Sequence, residues 1–269
     1  MRGRAAAAVP PAVGEPPAVL VLPAAVVVLS AFAAAGRRAL WRGVFTLTGG
    51  LRVQGAAAMP PRPCVVVANH RSHADTAALI AALPARRRPA VAAAADYWFQ
   101  GGVRPAVCRL LCAAFPVRRS GGGSADLAAA VRLLASGRDV IVFPEGSRSR
   151  DGRTAEFHRG AARLAASAGV PLVPVGLSGT GTLLPPQASG RRRQRATVIV
   201  RIGAPVCVAE LAERLVCAEG PGVDAATAAT AQARARVLAL AADGDASSGV
   251  TPGCGRRARP APPARRRAR

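Results

Sequence analysis

From Pro63 onward, short β-branched runs alternate with alanine-rich stretches whose apolar positions repeat at helical spacing. The runs Cys64 to Ala68, Ala90 to Ala94, Asp139 to Phe143, Leu172 to Gly176 and Thr197 to Ile202 read as strands. Thr76 to Leu83, Arg104 to Ala113, Ser124 to Ser136, Gly160 to Ala168 and about Ala225 to Ala242 read as helices. Strands alternating with helices predict an α/β fold with a mainly parallel sheet flanked by helices. Ser124 is placed to cap its helix, with Asp126 in the first turn, and Gly137 and Gly169 stand where helices stop.

Ahead of this region, Pro16 to Gly36 forms 21 residues without a charge, between Glu15 and Arg37. As a helix it would extend about 31 Å, roughly the hydrocarbon thickness of a bilayer. Arg2 and Arg4 precede the segment and Ala33-Ala34-Ala35 ends it, so a cleaved signal peptide is the rival reading. We expect a retained anchor or interfacial helix. The resulting division is residues 1–39 as an N-terminal segment with the apolar membrane element, 40–242 as the folded domain, and 243–269 as a disordered basic tail. Residues 256–269 hold seven arginines and no acid.

Charge sharpens this picture. The chain has 37 basic and 14 acidic side chains among 269 residues, and every basic one is Arg. Such a surface is drawn to phosphate, in anionic lipid or in nucleic acid. An aromatic content of 3% offers few stacking platforms for bases, so no specific nucleic acid is expected. The runs Arg86 to Arg88 and Arg191 to Arg195 read as solvated loops. Six scattered cysteines without a CxxC pair suggest packing thiols rather than a metal site.

The chemistry concentrates in Asn69-His70-Arg71-Ser72-His73-Ala74-Asp75, directly after one strand and before one helix. Activating a hydroxyl as a nucleophile needs a base, and a neutral imidazole suits pH 7. A carboxylate on its second nitrogen fixes the tautomer and stabilises the imidazolium. Residues five apart on a helix are about 140° apart around its axis, so His70 must stand at the turn with Asp75 inside the helix. His73 reads as exposed or packing. Ser72 raises the idea of a serine hydrolase, but the GxSxG elbow is absent, and Gly176-Leu177-Ser178-Gly179 does not supply it.

These residues resemble the NHxxxxD motif of the glycerolipid acyltransferases, the family of the lysophosphatidic-acid acyltransferases. Phe143-Pro144-Glu145-Gly146-Ser147-Arg148-Ser149 is similar to the family's FPEGTRS block. Phe115-Pro116-Val117-Arg118-Arg119 and Val170-Pro171-Leu172-Val173-Pro174-Val175 resemble the two remaining motifs, in the family order. The resemblance implies His70 and Asp75 as the catalytic pair, with no cofactor and no metal. It implies that Arg119 and Arg148 bind the acceptor phosphate, and that Glu145 binds an acceptor hydroxyl or holds an arginine. Gly146 then admits the ligand close to the backbone, and Pro174 shapes a pocket wall. The implied partners are acyl-CoA or acyl-carrier protein as donor, a lysophospholipid such as 1-acylglycerol 3-phosphate as acceptor, and an anionic membrane surface. Because Arg37, Arg38, Arg42 and Arg52 outnumber Arg2 and Arg4 across the apolar segment, the expected location is the cell membrane with the domain facing the cytoplasm. One departure is Phe157-His158-Arg159-Gly160, where relatives often carry a lysine after the phenylalanine; His158 or Arg159 takes that place.

Overall fold

The computed structural model describes residues 24–61, 63–118, 123–149, 153–185, 192, 194–219 and 224–247. Among them, seven strands form one sheet: β1 (Leu51–Gln54), β2 (Val65–Ala68), β3 (Ala90–Ala94), β4 (Ala114–Val117), β5 (Val140–Val142), β6 (Leu172–Ser178) and β7 (Val198–Ile202). The helices are α1 (Ala24–Thr48), α2 (Ala74–Ala82), α3 (Ala95–Trp98), α4 (Arg104–Cys112), α5 (Gly123–Ala135), α6 (Gly160–Ala168), α7 (Thr180–Leu183), α8 (Val208–Glu219) and α9 (Ala225–Ser247).

The strand order is β1-β7-β6-β2-β5-β3-β4. Every pairing is parallel except β6 with β7. The fold is therefore the expected α/β class, with a mainly parallel sheet between helical layers. Because alternate residues of a strand face opposite layers, Val66 and Ala68 of β2 pack with α2, while Val65 and Val67 pack with α5, α6 and α9. Burial on both faces explains why the central strands are continuous apolar runs. At Gly176 of β6 an added Cβ would fall 2.4 Å from the Leu240 carbonyl carbon, so only glycine lets α9 lie this close to the sheet.

Several expectations change. The apolar helix does not end at Arg37: α1 continues to Thr48 and crosses the expected boundary at residue 39. Its arginines serve α2, because Arg38 Nε donates to Leu83 O and Arg42 Nε to Ala81 O, both at 3.0 Å. These carbonyls close a helix end that lacks intrahelical donors. Trp41 Nε1 donates to Leu111 O at 2.9 Å, tying α1 to α4. One helix in the described residues, α1, is long and apolar enough to cross a membrane. At the other end, α9 runs to Ser247 and crosses the expected boundary at residue 242, so the first five residues of the expected tail 243–269 are helical; residues 16–23 and 248–269 lie outside the described residues.

In the run Arg86 to Arg88 only Arg86 is exposed, and Arg87 and Arg88 turn inward. Both nitrogens Nε and Nη2 of Arg87 engage the buried Asp139, the latter at 3.0 Å. Arg88 is 8% exposed and donates to Ser30 Oγ of α1 at 3.1 Å. Burial raises the Asp139 pKa, and the Arg87 guanidinium beside it opposes that rise. Helix α5 already includes Gly123, so Ser124 stands inside it rather than capping it. Gly137 and Gly169 take left-handed conformations at helix ends, with φ of 77° and 62°.

Candidate active site

The parallel strands β2 and β5 deliver two loops to one edge of the sheet. The first carries His70, just beyond β2, and the second carries Glu145, just beyond β5. Loops at the carboxyl ends of parallel strands are where α/β folds present ligand-binding groups. Helix α2 begins at Ala74, so His70 is outside it and Asp75 is in its first turn.

His70 Nδ1 lies 2.9 Å from Asp75 Oδ2. The same oxygen accepts the backbone N–H groups of Arg71 and Ser72, each at 2.7 Å. Asp75 is fully buried, and three donors converging on one oxygen are appropriate to an ionised carboxylate. With Nδ1–H donating to the Asp75 carboxylate, the lone pair of the ring is at Nε2, which has no hydrogen-bond partner among the described residues. The imidazole stacks on Phe143 with ring centroids 4.0 Å apart and an interplanar angle of 18°. Stacking and the Asp75 bond together leave the ring little rotational freedom.

Glu145 fastens the two loops. Its Oε1 accepts the His70 N–H at 2.6 Å and its Oε2 accepts the Ala155 N–H at 2.9 Å. Ser149 N–H returns a bond to His70 O at 2.9 Å. Burial raises the Glu145 pKa, while the bonds from Ala155 and His70 pull it down. Both carboxylate oxygens are thus occupied by backbone, and no arginine holds Glu145 among the described residues. Its geometry is that of a positioning residue for His70.

Arg148 is half-buried beside this loop and has no hydrogen-bond or salt-bridge partner among the described residues. Its charge reaches His73, whose pKa falls to about 4, first through burial and then through Arg148 and His70. His73 packs edge-on against Trp98 at 5.4 Å and over Tyr97 at 6.4 Å, forming an aromatic wall with α3. Gly146 has φ of 69°, and an added Cβ would meet His158 Cδ2 at 3.4 Å. Of the two residues at the lysine position, His158 borders the loop, whereas Arg159 turns to Asp224 at 2.7 Å.

Other expected site residues lie elsewhere. Pro174 is an interior residue of β6 paired with Val67, and its ring approaches Gly203 beside Leu240 on the α9 face. It is not gathered with His70, Glu145 and Arg148. Arg119 lies outside the described residues, as does Asp151. Ser72 is buried and donates to Leu184 O at 2.6 Å, so its hydroxyl is directed into structure rather than to His70 Nε2. Asn69, to which the motif had given no role, is a clamp: its side chain exchanges two bonds with the Leu177 backbone, at 3.0 and 2.8 Å. Only the three-dimensional pairing of β2 with β6 shows this, since the partners are 108 residues apart.

The comparisons with known proteins agree with this layout. Residues 50–178 match the acyltransferase family. The chloroplastic 1-acyl-sn-glycerol-3-phosphate acyltransferase BAT2 of Brassica napus is 32% identical over 146 residues, which are 51% of this chain and 40% of that protein. The 1-acyl-sn-glycerol-3-phosphate acyltransferase alpha of Homo sapiens is 37% identical over 131 residues, 48% of this chain and 45% of that protein. The matched stretches therefore span less than half the length of these relatives. The crystal structure of the 1-acyl-sn-glycerophosphate acyltransferase PlsC from Thermotoga maritima superposes with a TM-score of 0.60, covering 81% of this chain and 87% of that one at 22% identity, which establishes a shared fold. Residues 50–178, which carry His70, Asp75, Glu145 and Arg148, thus match the acyltransferase family, and the relatives they resemble are 1-acyl-sn-glycerol-3-phosphate acyltransferases.

Proposed function

We propose that this protein moves a fatty acyl group from a thioester, on coenzyme A or acyl-carrier protein, to the free hydroxyl of 1-acylglycerol 3-phosphate. The observation that carries this reading is the His70 Nδ1 to Asp75 contact of 2.9 Å, with no hydrogen-bond partner for Nε2 or for Arg148 among the described residues. His70 Nε2 removes the proton of the acceptor hydroxyl as its oxygen attacks the thioester carbonyl. The tetrahedral intermediate collapses, the carbon–sulfur bond breaks, and the imidazolium returns the proton to the leaving thiolate. Asp75 stabilises the transient imidazolium. Arg148, joined by Arg119, receives the acceptor phosphate through planar paired hydrogen bonds, and Glu145 keeps His70 in register.

The domain works at a membrane surface, on the cytoplasmic side, with α1 lying in the interface. Leu29, Phe32, Leu40 and Leu47 are all exposed, and at about 100° per residue they fall within an arc of about 80°. Ala34 and Phe45 are buried on the opposite side of the helix. A stripe running the length of a helix whose other face holds the domain suits a helix lying in the headgroup region. The seven arginines of residues 256–269 add electrostatic attraction to anionic lipid.

The test is incubation of the purified full chain with labelled acyl-CoA and labelled acyl-carrier protein against a panel of lysolipids. Phosphatidic acid as the main product supports the reading. Transfer to a different lysolipid would reassign the acceptor, and absence of any acyl transfer would overturn the proposal.

A further inference from the structure

At the opposite edge of the sheet from His70, four arginines meet around one pocket. Arg88 and Arg138 precede the amino ends of β3 and β5, whereas His70 and Glu145 follow the carboxyl ends of β2 and β5. Arg37 of α1 and Arg109 of α4 complete the ring, together with Ser30, and the pocket holds about 290 Å³. No carboxylate lines it. Asp139, next to Arg138 in sequence, is occupied by Arg87 and by the Cys64 N–H.

Three of the four guanidinium groups are held there by neighbouring groups. Arg138 Nε donates to Arg88 O at 3.0 Å, and Arg88 is itself buried against Ser30 and Ser136. Arg109 stands over the Phe99 ring at 5.2 Å. Arg37 has no hydrogen-bond or salt-bridge partner among the described residues. Burial lowers the Arg138 pKa, and Arg88 and Arg37 lower it further, so each charge is felt by its neighbours. Arginine remains charged throughout the accessible pH range, so this repulsion is not relieved by deprotonation. An anion relieves it.

We propose that Arg37, Arg88, Arg109 and Arg138 form a binding site for a phosphate oxyanion, and that its ligand is the headgroup of an anionic membrane lipid. Guanidinium forks match phosphate geometry, and several of them in one place form a strong oxyanion trap. The volume is at the lower limit of small-molecule sites, about 300 Å³, so it takes a headgroup and not a whole lipid. Lipid is favoured over a soluble anion because both helices that supply the pocket expose apolar side chains. On α1 these include Leu29 and Phe32; on α4 they are Val107 and Leu110, with Val103 just before it. Val103, Val107 and Leu110 follow helical spacing and share one face. A headgroup in the pocket leaves its acyl chains beside these residues. The site is separate from the loop bearing Arg148, so it would hold and orient the domain without competing for the acceptor.

The experiment uses the full chain, the double variant Arg37→Gln/Arg138→Gln, and a control, Arg132→Gln/Arg214→Gln, that removes the same net charge from exposed positions away from the pocket. Melting temperature is read in inorganic phosphate against chloride at matched ionic strength. Flotation is read with vesicles of phosphatidylcholine, with and without phosphatidylglycerol. Bound ligand stabilises the folded state, so phosphate should raise the melting temperature of the wild type and the control, and not of the double variant. Binding to phosphatidylglycerol vesicles should fall about tenfold or more in the double variant beyond any change in the control. Equal responses of all three proteins to both probes would overturn the site. A lost phosphate response with unchanged flotation would keep the oxyanion site and overturn the lipid as its ligand. Should the double variant fail to fold, Arg109→Gln on the exposed α4 carries the same comparison.

Discussion

Replacing Asp75 with Asn removes one charge from the pair and alters little else in shape. If the amide oxygen takes the place of Oδ2, it can still accept from Arg71 and Ser72, now as a neutral acceptor. The amide nitrogen then occupies the position of Oδ1, which is buried and has no hydrogen-bond partner. An unsatisfied buried donor, plus two weakened bonds, should cost about 2–5 kcal/mol of stability. For catalysis, the lost term is the attraction between carboxylate and imidazolium. With atoms in contact at 2.9 Å, the charge centres are ~4 Å apart, and at an effective dielectric of ~20 the attraction is about 4 kcal/mol. If the full positive charge develops on His70, turnover should fall by about 10³. The assay is initial-rate kinetics with saturating donor and acceptor, after circular dichroism has shown the variant folded. A folded Asp75→Asn protein whose kcat stays within about threefold of wild type would refute the claim that Asp75 stabilises the imidazolium, since ~1.4 kcal/mol per tenfold leaves no room for such a term.

Glu145→Gln should destabilise the fold by about 1–3 kcal/mol in denaturant melts, because an amide must turn its NH2 toward one of the two backbone N–H groups that the carboxylate now accepts. It should lower kcat more than it changes either KM. Arg148→Ala should raise the KM for 1-acylglycerol 3-phosphate by a factor equivalent to about 1.5–3 kcal/mol, with little effect on the donor; a defect confined to the donor would reassign it. His73, with its pKa lowered from 6.5 to about 4, binds fewer protons folded than unfolded between those values. Its neutral form thus supports full stability above pH 6.5, and that support is lost as pH falls toward 4, by at most ~1.4 kcal/mol per pH unit before solvent screening reduces it. His73→Gln should flatten this part of a melting-temperature profile against pH. Exchanging Leu29, Phe32, Leu40 and Leu47 for Gln should release the protein from neutral vesicles even at low salt, since each apolar side chain taken into lipid contributes up to about 1.5–3 kcal/mol.

The parts of this molecule that were legible in its sequence are those governed by short range. The apolar runs of β2, β3, β5, β6 and β7 needed only their own composition and the turn residues around them. Helix α6 begins at Gly160 and ends before Gly169 because its stop signal is local. The five-residue spacing from His70 to Asp75 required a helix starting between them, and α2 starts at Ala74. What escaped depended on distant partners. Strand β1 is a four-residue edge strand with one face exposed, and β4 contains Pro116, tolerable at the sheet's other edge. The arginines after Gly36 looked like the end of an apolar segment, yet they continue α1 by bonding carbonyls at the end of α2. Arg87 and Arg88 looked solvated because Asp139 and Ser30, their partners, are 52 and 58 residues away. Glu145 was recognisable as a motif residue, but its work on the His70 backbone depends on two loops meeting across 75 residues.

The central claim is that His70 is the base for acyl transfer, and the direct measurement is product formation from acyl-CoA and 1-acylglycerol 3-phosphate by the wild type and His70→Ala at equal folded concentration. The account predicts phosphatidic acid from the wild type and a loss of about 10² to 10⁴ in turnover for the variant, with its fold and vesicle binding retained. A folded His70→Ala protein that makes phosphatidic acid at a comparable rate would contradict it.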